Sequence, residues 1–205
     1  MRIIPLHRES DSDYSCTCYW VLGDNNEPTD RNTLIDAGSS NLANLAHFMH
    51  EMTIMSKGIG KMAVEQVVIT HEHFDHAGGF AGIDRQFAPL TYAWIPQGSR
   101  RGEARDGARI RVGDQEAVLL HTPGHSEDSM CVFLPESGTL FSGDTVFRIT
   151  DNLGSYPRSY VSYLERLAAL DIRAVYPGRG SPILSGALSF IRDCSDNVRR
   201  SPLSD

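Results

Sequence analysis

The chain has 205 residues, 40% of them hydrophobic and 22% charged, enough for one large domain with a proper core or for two small ones. A formal net charge of −7 argues against a general nucleic-acid binder and against a binder of anionic membranes, while leaving room for a local basic patch. No apolar run approaches bilayer length, and Met1 to Arg8 lacks the apolar core of a secretory signal, so a cytoplasmic protein is expected.

The four cysteines are Cys16, Cys18, Cys131 and Cys194. The C-x-C pair is poorly placed to bridge itself, and no second pair exists to close a tetrahedral sulfur site, so reduced thiols are expected. In chain order, Cys18 to Leu22 is rich in β formers and residues 23–28 have loop composition. Thr33 to Asp36 reads as a short strand ending in a carboxylate, with Ser39 or Ser40 as the N-cap of a helix over roughly 41–55. His47 and His50 on that helix have no third ligand nearby and read as surface or boundary residues rather than a site. Val64 to Thr70 is a buried strand, residues 80–88 a short helix stopped by Pro89, and Thr91 to Ile95 a strand. The arginine-rich run Arg100 to Arg111 reads as a flexible solvated loop leading into a strand at Ala108–Val112, with a rim that attracts an anionic substrate as the alternative. Strands follow at Gln115–Thr122, Ser129–Leu134, Thr139–Ser142 and Arg173–Tyr176, with helices over 159–170 and 184–198. Nothing has linker composition, so the whole of 1–205 is expected to form one domain of alternating strands and helices.

The chemistry concentrates at Thr70-His71-Glu72-His73-Phe74-Asp75-His76. Two imidazoles at i and i+2 on an extended backbone point the same way. A carboxylate and a third imidazole follow where the strand ends, a ligand pattern for borderline-soft divalent ions such as zinc or iron. Three later glycine turns carry partners: His125 in TPGH, Asp144 in SGD and Arg179 in PGRG.

The ordered set His71-x-His73-x-Asp75-His76, then His125, then Asp144, resembles the metallo-β-lactamase superfamily. The likeness extends from Leu34-Ile35-Asp36-Ala37-Gly38 to Pro177-Gly178. It implies an α+β fold, the αββα four-layer sandwich of two mixed sheets between helices, with metals at one sheet edge. It further implies that His71, His73 and His125 hold a first metal, that Asp75 and His76 hold a second, and that Asp144 bridges them. Asp36 would orient ligands. The implied cofactor is Zn2+, one or two ions, with Fe or Mn as alternatives. Asp75 is the expected catalytic base, the substrate a small molecule, and the oligomeric state stays open, a homodimer included.

One position departs from the pattern. The family usually closes its second site with a histidine where this chain has Arg179, which has no lone pair for a metal. Four readings are open: an empty second site with Arg179 supplying the missing charge, a weak site completed by water, an Arg179 that swings out to grip a substrate carboxylate or phosphate, or lost catalysis. The mononuclear reading is preferred. The leading function is a metal-dependent hydrolase of a thioester, ester or lactone. A mononuclear non-haem iron oxidoreductase of the persulfide-dioxygenase type and a non-catalytic ligand-binding member are the alternatives. The short stretch after Pro177 disfavours the glyoxalase II form with its appended helical domain. Specificity is expected in the loops 100–111 and 148–160.

Overall fold

The computed structural model describes residues 1–6, 14–25, 27–41, 48–50, 52, 54, 61–95, 98, 100–146, 149 and 151–204. One sheet has six strands in chain order: β1 (Arg2–Leu6), β2 (Cys18–Leu22), β3 (Thr33–Ile35), β4 (Gln66–Ile69), β5 (Leu90–Ala93) and β6 (Arg100–Arg101). It is antiparallel from β1 to β3 and parallel from β3 to β6. The second sheet runs β12 (Ala174–Pro177), β10 (Thr139–Gly143), β9 (Met130–Leu134), β8 (Gln115–His121), β7 (Arg109–Val112), parallel only between β10 and β12. A small parallel pair joins β11 (Tyr156–Pro157) to β13 (Leu203–Ser204).

Side-chain alternation explains the layering. Strand residues point to opposite faces in turn, and β2 is apolar throughout because both of its faces are covered. Cys18, Trp20 and Leu22 pack with Phe48, Met52 and with Phe80, Ile83 and Phe87 of helix α2 (Phe80–Phe87). Tyr19 and Val21 face the other way, joining Val68, Leu119, Val132 and Phe141 between the two sheets. The same alternation in β9 sends Cys131 and Phe133 towards helices α3 (Arg158–Ala168) and α4 (Ala187–Arg200). Tyr160, Leu164 and Leu167 recur at helical spacing on the buried face of α3, with Ile191, Cys194 and Val198 of α4 against them. Replacing the fully buried Leu164 by Ala would cost about 2–5 kcal/mol. The result is two mixed sheets flanked by helices, as expected.

Four local expectations change. Arg2–Leu6, unread in the sequence, is an edge strand paired with β2. Arg100–Arg101 is a short strand rather than loop, because backbone pairing with Leu90 and Thr91 needs no apolar side chains. The cluster segment does not remain an extended turn: Phe74–Ala77 forms helix α1. The last helix begins at Ala187 rather than near 184, because Ile183 is held in a bridge to Val175. Of the helix expected over 41–55, residues 48–50, 52 and 54 are helical, while its start and His47 lie outside the described residues. His50 is exposed. All four cysteines are buried free thiols.

Candidate metal centre

The two sheets meet where β4, β8, β10 and β12 end. Met130 N–H donates to the Thr70 carbonyl at 2.9 Å, joining the sheets beside the histidine cluster. Two glycines permit the close approach. Gly143 has φ of +48°, and a Cβ there would fall 2.5 Å from Thr70 Oγ1. A Cβ on Gly178 would lie 2.6 Å from His76 Cε1 and 2.7 Å from Asp144 Oδ1.

Asp36 organises the base of the site. Its φ of 60° is unusual for a residue with a side chain and is tolerated best by Asp and Asn. The carboxylate accepts from Thr70 N–H at 2.7 Å and Thr70 Oγ1 at 2.9 Å, and pairs with His76 Nδ1 at 2.8 Å. A carboxylate on one ring nitrogen fixes an imidazole's orientation and leaves the other nitrogen free to face a ligand.

The structure brings His71, His73 and His125 together. His73 Nδ1 lies 3.0 Å from His71 Nε2 and 3.0 Å from His125 Nε2. Three ring nitrogens converging in this way cannot satisfy one another with the single N–H each neutral ring carries. A second group, His71, His76 and Asp144, also has its ligand atoms within 4.8 Å of one another. His76 Nε2 is 3.2 Å from Asp144 Oδ1 and 3.5 Å from Asp75 Oδ2. His76 Nε2 and Asp144 Oδ1 are both buried without a hydrogen-bond partner among the described residues. Buried polar atoms are rarely left so, and an orphaned imidazole nitrogen and carboxylate oxygen beside the three-histidine group fit a cation bound there. The donor set of imidazoles and carboxylate suits a divalent transition metal.

Arg179 closes the site from the far side. Its Nη2 donates to Asp75 Oδ2 and its Nε to Asp144 Oδ2 at 3.1 Å. Its guanidinium carbon lies 4.1 Å from the centroid of the Tyr14 ring. Burial works against the Arg179 charge, but Asp144 and Asp75 outweigh it and raise its pKa. Burial pushes His71 down to about 4, helped by the charge on His76, so His71 is neutral near pH 7. Burial opposes the imidazolium of His76, yet Asp36 and then Asp144 raise its pKa well above the usual histidine range. Burial likewise opposes ionisation of Asp144, and His76 and Arg179 more than reverse it, so its pKa is lowered.

Several contacts were not legible in the sequence. Asp128 Oδ2 accepts from Glu72 N–H at 2.8 Å, tying the His125 loop to the segment between His71 and His73. Tyr19 Oη donates to the Pro177 carbonyl at 2.6 Å, and Thr17 N–H to the Gly178 carbonyl at 2.8 Å, holding the loop that bears Arg179. Cys16 forms a further close group with Asp36 and His76. None of these has a local signal, because each joins segments far apart in the chain.

A four-layer sandwich with a histidine and aspartate cluster at the sheet edge defines a class of metal-binding proteins. The family model of the metallo-beta-lactamase superfamily matches residues 12–93 and 96–179, and the chain belongs to that superfamily. An atrochrysone carboxyl ACP thioesterase of Passalora fulva is 28% identical over 179 residues, covering 82% of this chain and 50% of that protein. A hydroxyacylglutathione hydrolase of Hydrogenovibrio crunogenus is 28% identical over 150 residues, covering 72% and 50%. The chain spans about half the length of these curated relatives. The crystal structure of ETHE1 from Myxococcus xanthus shares the fold, with a TM-score of 0.69 at 20% identity, over 97% of this chain and 88% of that one. Among the described residues no helix is long and apolar enough to cross a membrane.

Proposed function

We propose that this protein is a metal-dependent hydrolase of a small-molecule thioester, ester or lactone, working with a single ion, zinc in the first instance. The observation that carries the reading is the convergence of His71, His73 and His125, with His73 Nδ1 3.0 Å from a ring nitrogen of each of the other two, beside Asp144 and in a cavity that Asp75 also lines. In this reading those three histidines would hold the ion, and Asp144, with Oδ2 3.7 Å from His125 Nε2, would be the carboxylate available beside them. When bound, the ion supplies Lewis acidity and a nucleophile active near neutral pH.

The protein's own groups do the rest. Asp75 orients the attacking water and takes its proton. The water oxygen bonds to the acyl carbon, the carbon–sulfur or carbon–oxygen bond breaks, and the proton passes to the leaving atom. Arg179 supplies the second positive charge at the site. Two carboxylates clasped by one guanidinium need no second dication to balance them, which supports the mononuclear form. The relatives named for thioester hydrolysis support the choice of bond.

The test is metal analysis of protein purified without added metal, with thioester turnover measured before and after chelation. One zinc per chain and activity lost on chelation are expected. Iron together with oxygen uptake on a persulfide would replace the hydrolase reading with the oxidoreductase one. Two tightly held ions per chain would overturn the mononuclear form.

A further inference from the structure

We infer that the substrate presents a flat, apolar, aryl-bearing acyl group to a wall formed by Phe74 and Tyr14, an inference that rests on the hydrolase reading above. A cavity of about 480 Å³ opens over the candidate centre, lined among others by Tyr14, His73, Phe74, His125, Asp144 and Arg179. Its size falls in the range of small-molecule sites.

Phe74 stands in the chain between His73 and Asp75, yet its side chain is 64% exposed. Tyr14 is 62% exposed, and the two ring centroids are 6.0 Å apart at 33°. Two neighbouring aromatic rings left in water at the mouth of a polar centre are apolar surface that a ligand would cover. The separation decides how. A third ring sandwiched between them would need about 7 Å, twice the contact distance of about 3.5 Å. The 6.0 Å spacing therefore makes one continuous wall, and an aryl group lies across both rings. Tyr14 is held in place from within, since Arg179 rests on its ring and is itself clasped by Asp75 and Asp144. Because Phe74 is continuous with the groups that would attack the acyl carbon, the group against this wall is the one adjoining the scissile bond. A short acyl chain would leave the wall in water.

The experiment uses the full chain loaded with zinc and two thioesters of one thiol, acetyl and benzoyl N-acetylcysteamine. The wild type is expected to favour the benzoyl ester in kcat/KM by about tenfold, the size of an aromatic contact of this kind. Phe74→Ala should remove that preference, Phe74→Leu should restore part of it, and Tyr14→Leu should lower it. A melting curve shows that each variant is folded. A preference absent from the wild type, or untouched by Phe74→Ala, would overturn the inference and leave the hydrolase reading standing. If neither ester is turned over, the hydrolase reading fails, and calorimetry with benzoate and acetate decides this inference separately. Benzoate binding about tenfold tighter than acetate, with the difference lost in Phe74→Ala, supports it. Equal binding overturns it.

Discussion

Arg179 donates to Asp75 through Nη2 while its Nε holds Asp144, so one side chain joins two carboxylates that come from different strand ends. Asp75 lies on α1, in the segment that follows β4, and Asp144 lies just after β10, so the two carboxylates are delivered from the edges of different sheets. A cation fixed there repels a dication. Exchanging it for a neutral ligand should reverse the preference. Arg179→His is expected to raise zinc from one to two ions per chain after exhaustive dialysis, measured by elemental analysis. A variant that still holds one ion would show that Arg179 is not what bars the second.

The metal-free protein should be most stable near pH 6.5, the ordinary histidine value. His71, pushed down to about 4 by burial, carries stability that is present above about 6.5 and lost as pH falls towards 4. His76, raised by Asp36 and Asp144 against the opposing effect of burial, carries stability that is full below about 6.5. That contribution declines as pH rises towards its raised value. Thermal melts of chelated protein from pH 4.5 to 9 should therefore fall on both sides of the maximum. His71→Gln should flatten the acid limb. A flat Tm across that range would refute the assignment of charge.

Zinc should work against the alkaline limb. A dication beside Asp144 repels the proton that His76 holds against that carboxylate, so loading expels it, and binding strengthens as pH rises. The gap in Tm between zinc-loaded and metal-free protein is expected to widen from pH 6.5 to 9. A gap that narrows would mean that loading leaves His76 protonated.

Asp128 is buried and accepts the Glu72 N–H, so it sets the distance between His125 and the two histidines around Glu72. Asp128→Ala should cost about 1–3 kcal/mol of stability by leaving that N–H unpaired. Zinc affinity should weaken about 10–100-fold, as for other groups that orient ligands. Asp128→Asn keeps an acceptor oxygen and should restore most of the affinity. Competition with a chromophoric chelator measures it, and wild-type affinity in Asp128→Ala would eliminate this role.

Tyr19 is buried between the sheets, and its hydroxyl is hydrogen-bonded to the Pro177 carbonyl at 2.6 Å. Tyr19→Phe keeps the packing and removes only that bond. Urea denaturation should show a loss of about 1–3 kcal/mol, because the carbonyl stays buried without its donor. No change in midpoint would show that another group replaces the hydroxyl.

What the sequence determined by itself is whatever depends on residues close in the chain. Cys18–Leu22 is a strand as read, since five apolar residues in a row with β-formers among them suit a strand buried on both faces. Helices α3 and α4 follow from apolar residues at helical spacing, and the histidine cluster with its three glycine turns marks where chemistry gathers. Tertiary structure alone decided the rest. Short segments such as Arg2–Leu6 and Arg100–Arg101 are strands only because a neighbour offers backbone partners, which no side-chain pattern records. Arg179 could be read from its position as a departure from the pattern, but not as a clasp. That required Asp144 to be brought within reach across 35 residues and Asp75 and Tyr14 across more than a hundred. Long-range contacts are made by the packing of layers, and so the folded chain alone shows which charges meet.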